Sequence, residues 1–424
     1  MSTLASAGVR PQTIERAERF DMVDGLRAVA SIAVVVHHAS FHSGRMYVGH
    51  FPHQFTQLDV GVAIFFVISG FVLYRPFARR ILRNEPEPAI IPFLARRAAR
   101  IFPAYWLALT VMIVVGKLSH GKLLGLLVYP KHRIGYLPYY LLMHIYRNKD
   151  EAQGGINQAW TLAAEIAFYL FVPLFAFAAR RLTQRASVRR RYNAQFVLLG
   201  LVFATSIGFR SYCYWGSSAR LNAVGEYWLF ANLDLFAIGM ALAVATVGVT
   251  IGIGDGRCVA TLRALPELWW ALAIGVFWWS SYRLGIGISP RPTKWDGLFK
   301  QEMHGLVALL IVVPCVFPGG RRNVVSALLR WKPVVFGGLV SYGVYLWHQA
   351  WLVQASRWQY DTIQKATGIR PQPFTASMPL ILIFGLFVAT LTAAVSWYGF
   401  EQPIMRRVGV KRSVRATEHR VGND

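Results

Sequence analysis

Two adjacent histidines, His37 and His38, lie in an otherwise apolar run, VASIAVVVHHASF. An imidazole takes and gives protons near neutral pH, which suits a general base, a proton relay or a metal ligand. Eleven residues separate Arg27 from His38. In a helix the two point within about 20° of one direction, roughly 16 Å apart along the axis, whereas His37 points about 80° away. Arg97 and Arg100 in RRAARIFPAYW are three apart and share a helix face. Clustered guanidinium forks suit phosphate oxygens, although such arginines also anchor helices or contact anionic lipid. Glu165 in NQAWTLAAEIAFYLF sits eight residues into an apolar run, at a depth comparable with that of His38. A lone carboxylate is costly there, so it needs a partner: His38, an arginine or a ligand.

Other residues carry weaker signals. His348 in SYGVYLWHQ serves either packing or acceptor binding, and Trp160 is the companion acceptor-binding candidate. Ser69 in FFVISGF has no GxSxG elbow around it, so Ser69-Gly70 reads as a close helix contact rather than a nucleophile. His38 and His42 are spaced i, i+4, with His50 and His53 beyond, but no HExxH or supporting carboxylate accompanies them, and no metal is expected. Gly252, Gly254 and Gly256 mimic a phosphate loop without its strand or its Lys-Ser/Thr, and read as a plain loop.

The elements that position these groups are membrane helices. Hydrophobic residues make up 55% of the 424 and charged residues 15%, with several apolar runs near spanning length. The net charge of +25 is parcelled between the apolar runs, which fits the positive-inside rule and argues against nucleic-acid binding. Three scattered cysteines, Cys213, Cys258 and Cys315, form neither a disulfide framework nor a thiolate site. The polar opening lacks a signal peptide, so the first apolar run reads as an uncleaved span.

Spans are predicted near 25–41, 58–75, 101–117, 157–179, 194–209, 226–249, 267–286, 303–318, 333–355 and 376–400. Arginine-rich connections after alternate spans place both termini in the cytoplasm. The patch YLPYYLLMHIY (136–146) is too short to cross and reads as an interfacial or re-entrant segment. The expected class is therefore an all-α integral membrane protein of about ten transmembrane helices plus that short segment. It divides into a cytoplasmic N-terminal segment (1–22), a transmembrane domain (23–405) and a basic cytoplasmic tail (406–424). A multi-pass protein of the inner or plasma membrane follows, and nothing in the sequence sets its oligomeric state.

In this order the segments resemble the membrane-bound acyltransferase 3 family, over about 20–405. The resemblance rests on DGLRAVASIAVVVHH, with the family's Arg-x10-His falling on Arg27 and His38, on FFVISGF, and on Arg97 and Arg100 before FPAYWL. AWTLAAEIAFYL around Glu165, SYGVYLWH and FEQP complete it. Family members often carry an acid where this chain has Ala63, and Asp59 one turn earlier is its candidate substitute; the proline that often follows LWH is also absent. The resemblance implies O-acylation of a glycan, glycolipid or macrolide hydroxyl from an acyl-CoA, foremost acetyl-CoA, in the manner of members without an added SGNH hydrolase-like domain. Arg27, Arg97 and Arg100 would hold the donor's phosphates, His38 would act as general base, and Glu165 would orient its imidazole. The rival reading is a proton-coupled transporter or flippase, for which His and Glu inside the membrane are also suited. Against it stand the missing inverted repeat and the lack of paired broken helices.

Overall fold

The computed structural model describes residues 21–120, 135–216, 218–254, 260–263, 265–285, 293–317, 323–367 and 376–407. Residues 1–20 of the segment expected over 1–22, most of the tail expected over 406–424, Cys258 and Gly256 lie outside the described residues.

Among the described residues, ten long helices carry the fold: α1 (Asp21–Ser43), α2 (Val60–Arg83), α3 (Ile90–Leu118), α4 (Trp160–Thr183), α5 (Val188–Ser211), α6 (Leu233–Thr250), α7 (Pro266–Leu284), α8 (Lys294–Val316), α9 (Lys332–Thr367) and α10 (Met378–Ser396). No strand occurs among the described residues. Eight helical stretches, containing all of these but α7 and α9, are long and apolar enough to cross a membrane. The two exceptions are long but less apolar. α7 carries four tryptophans with Ser280, Ser281 and Arg283, and α9 buries Ser341, His348, Gln349 and Gln354.

Short connections gather one basic end of the bundle. Arg180 donates to the Glu85 carbonyl, joining the α2–α3 and α4–α5 turns, and Arg189 donates to Ile253 just after α6. At the opposite end, Trp228 donates to the Ile145 carbonyl and Gln153 to the Tyr227 hydroxyl. The apolar patch near 136–146 forms short turns there, at Leu137–Tyr140 and His144–Tyr146, not a crossing helix. Tyr105 and Trp106, midway along α3, donate to the carbonyls of Tyr139 and Tyr140, so this segment dips between the helices.

Helix α2 runs through the core. A Cβ at Gly70 would strike the Phe236 carbonyl, and one at Gly239 would strike Val67, so α2 and α6 meet backbone to backbone. Phe236 stacks on Phe66 of α2 and on Phe168 of α4, which locks the three helices together. α9 lies against α1 in the same way, with Gly338 on the Asp24 backbone, and this contact sets which residues of α9 reach the histidine pair.

Candidate active site

Among the described residues, α1 lines two cavities inside the bundle. The inner one, about 90 Å³, is lined by Arg27 of α1, Ser69 of α2, Arg97 and Arg100 of α3, Glu165 and Tyr169 of α4, and Tyr342 and Tyr345 of α9. The outer one, about 340 Å³, is lined by His37, His38, Asp59, Trp160, Tyr227, Lys300, His304 and Tyr345, among others. Val62 and Tyr345 line both and form the partition between them. The Tyr345 ring is pinned there, because its hydroxyl donates to the Gln158 carbonyl and bonds to Thr161 Oγ1.

The inner cavity gathers the three arginines singled out in the sequence. Arg27 is tied to Asp24 at 3.1 Å, whereas the Arg97 Nε is buried without a partner. Glu165 accepts from Ser69 Oγ at 3.1 Å and from the Tyr169 hydroxyl at 2.7 Å. Its carboxylate therefore faces the arginine cluster, and the expected contact with the His38 imidazole is not made: His38 lies on the other cavity. Ser69 is engaged as a donor to that carboxylate.

The His38 ring is oriented from another side. His348, fully buried and lining neither of these cavities, bonds its Nε2 to His38 Nδ1 at 3.2 Å. His348 Nδ1 lies 2.7 Å from the Tyr345 carbonyl, and His38 Nδ1 lies 2.9 Å from the Val34 carbonyl. Carbonyls only accept, so both Nδ1 atoms carry hydrogen, and His348 Nε2 accepts from His38. The tautomer assigned by this network leaves a lone pair on His38 Nε2, the atom a general base needs. His348, expected at the acceptor, is placed behind His38 and on neither of these cavities.

His37 also lines the outer cavity, with its Nδ1 bonded to the Phe55 carbonyl. A turn of about 100° per residue is too small to remove it from a cavity this wide. Asp59 faces the same space as Ala63 and pairs with Lys300 at 2.7 Å. Trp160 lines that cavity too, its ring 5.4 Å from Tyr227. No group of three or more His, Cys, Asp or Glu able to hold a metal converges among the described residues.

Sequence reasoning missed Lys300 and His304. It started that span at 303, which took in His304 without giving it a role and left out Lys300, whereas a capping box between Thr293 and Asp296 begins α8 nine residues earlier. The T-x-x-D pattern was the available signal, and it places Lys300 and His304 on one helix face.

The fold and site define a polytopic membrane protein with a cationic cavity and a mixed polar cavity meeting at a buried histidine pair. Residues 20–398 match the acyltransferase domain family, and the chain belongs to it. It is similar to the peptidoglycan O-acetyltransferase OatA of Listeria monocytogenes, 25% identical over 342 residues that cover 77% of this chain and 48% of that protein. YrhL of Bacillus subtilis is 25% identical, over 94% of this chain and 57% of that protein. The exopolysaccharide production protein ExoZ of Rhizobium meliloti is 24% identical, over 65% of this chain and 94% of that protein. The chain thus spans about half the length of OatA and YrhL. No solved structure matches it significantly.

Proposed function

We propose that this chain is an integral membrane O-acyltransferase that moves an acetyl group from acetyl-CoA to a hydroxyl of an envelope glycan. All ten helices cross the inner or plasma membrane, with the basic end and both termini in the cytoplasm, as the positive-inside rule requires. The donor enters at that end. Arg27, Arg97 and Arg100 hold its phosphates, and the narrow inner cavity takes its extended arm. The acceptor enters the outer cavity from the far side.

At the junction, His38 Nε2 removes the proton of the acceptor hydroxyl as its oxygen attacks the thioester carbonyl. The carbon–sulfur bond breaks, and the coenzyme A thiolate takes that proton back from His38. His348 acts as a positioning residue, holding the His38 tautomer as a carboxylate does in other base-orienting pairs. Glu165 balances the arginine cluster on the donor side.

The observation that carries this reading is the shared wall: an arginine-lined cavity and a mixed polar cavity share Val62 and Tyr345, beside His38, whose Nε2 lone pair faces neither a carbonyl nor the His348 ring that orients it. The test uses the purified chain in lipid nanodiscs with radiolabelled acetyl-CoA and envelope glycan from a deletion strain. Label transferred to glycan with matching release of coenzyme A is expected. Proton-coupled movement of a solute without any acetylated product would overturn the reading in favour of a transporter. Cysteines placed at Glu85 and His50 should label from opposite sides of the membrane.

A further inference from the structure

The outer cavity contains polar atoms that the acyl-transfer step leaves unused. Asp59 Oδ2 is bonded to Lys300 at 2.7 Å, but its Oδ1 is buried and has no partner. His304 Nε2, one helical turn beyond Lys300 on α8, is likewise buried without a partner. The two atoms face each other at 4.0 Å. That gap is too long for a hydrogen bond, and one oxygen at about 2.8 Å from each would bridge it. A third such atom lies on the same cavity. Gln158 Nε2 donates to the carbonyls of Tyr345 and Leu346, which leaves Gln158 Oε1 buried and unpartnered.

Buried polar atoms are almost always bonded, so three orphans around one cavity point to a ligand that completes them. Their chemistry says what kind. The Asp59 carboxylate accepts and an Nε2–H of His304 donates, a pairing that matches a hydroxyl, which does both. The local charge is already balanced by Lys300, so an anionic group would meet the Asp59 oxygen and be repelled. The cavity volume of about 340 Å³ lies at the lower end of the range usual for small-molecule sites, and Trp160 and Tyr227 offer it ring faces.

We propose that Asp59 and His304 form a hydroxyl slot, so that the acceptor is a polyol whose second hydroxyl is clamped there while a first is presented to His38. Gln158 Oε1 takes a further hydroxyl proton. This proposal rests on the reading of the outer cavity as the acceptor side. It makes acceptor choice a matter of hydroxyl spacing, with Asp59 and His304 as specificity-determining residues.

The test uses the full chain in nanodiscs, labelled acetyl-CoA, and methyl β-glucopyranoside with its set of monodeoxy derivatives as probes. Wild type should lose tenfold or more in kcat/KM on one derivative whose missing hydroxyl is not the one acetylated. His304→Gln, which keeps the Asp59–Lys300 pair, and Asp59→Asn should each lose a similar factor on the parent glycoside and lose nothing more on that derivative. If both variants slow the parent and every derivative by the same factor, the residues are structural or hold only a water, and the slot is overturned. If wild type acetylates none of the probes yet labels envelope glycan, the slot is overturned as an acceptor site for simple sugars while the acyl-transfer reading stands. If no acceptor of any kind is labelled, the acyl-transfer reading falls first.

Discussion

The two cavities meet at Val62 and Tyr345 and handle charge in opposite ways. In the inner one, three guanidinium groups face a single carboxylate, and a buried Arg97 nitrogen lacks a partner. In the outer one, each cation has a carboxylate to match it: Lys300 is bonded to Asp59, and Arg210, which also donates to the Ala231 carbonyl, shares the lining with Glu226. A cationic surplus in a low-dielectric enclosure is unfavourable until an anion arrives, whereas a balanced one discriminates through hydrogen-bond geometry. The contrast fits two substrates of different character, a multiply charged donor and an uncharged, hydroxyl-bearing acceptor.

The largest effect should come at the junction. His38→Ala is expected to lower acetyl transfer by about 10²–10⁴-fold, the usual worth of a positioned general base. His37→Ala should cost about tenfold at most, since that ring lines the outer cavity but lacks the bond to His348 that orients His38. Comparing initial rates of the two purified variants checks this, and equal losses would remove the distinction between the neighbours. Next in size, Arg97→Gln and Arg100→Gln should each raise KM for acetyl-CoA by about 10- to 150-fold, the range for one hydrogen bond to a charged group, with little change in kcat. An effect on the acceptor KM instead would reverse the assignment of the two cavities.

Much of this arrangement could be read from the chain. Periodic apolar runs broken by arginines located the ten long helices, whereas the phase of α1 linked Arg27 to His38, two residues that line different cavities. Residue types also found the arginine cluster, because guanidinium groups within apolar segments are rare enough to stand out. What could not be read was which buried groups touch. Glu165 and His38 lie at similar depths, so sequence made them partners, but depth says nothing about azimuth around a bundle. The close contact of Gly338 with Asp24 turns α9 so that His348, 310 residues away in sequence, reaches His38. Lys300 was hidden for a simpler reason: it precedes the apolar part of α8, and only the capping box shows that the helix already includes it, whereas His304 lay just inside the expected span with no pattern to single it out.

Tyr345 tests the partition directly. Its ring lines both cavities, and its carbonyl accepts from His348 Nδ1, so side chain and backbone serve different ends. Tyr345→Ala should join the cavities and admit water to the donor thioester. Coenzyme A release without acceptor should then rise on the order of tenfold relative to transfer. Tyr345→Phe, which loses only the bonds to Thr161 and Gln158, should show a smaller increase. An unchanged ratio of hydrolysis to transfer in the alanine variant would mean that the cavities are sealed by something other than this ring.

The smallest expected effect concerns Ser69, and it separates a positioning role from a covalent one. Its Oγ donates to Glu165 Oε1 at 3.1 Å, and Tyr169 donates to the same oxygen at the shorter distance of 2.7 Å. Ser69→Ala removes one of two donors and leaves the carboxylate bonded. One such bond is worth roughly 0.5–1.5 kcal/mol, a change of about 2- to 12-fold. The loss should appear in the donor KM, because Glu165 lies among the arginines of the inner cavity. A serine that carried the acyl group would behave otherwise: the alanine variant would lose nearly all transfer, and the intact mass of wild type under donor excess would show one added acetyl group. Acetylated protein in wild type but not in Ser69→Ala would move the chemistry from the wall at Tyr345 into the inner cavity, and the division of labour between the two spaces would have to be redrawn.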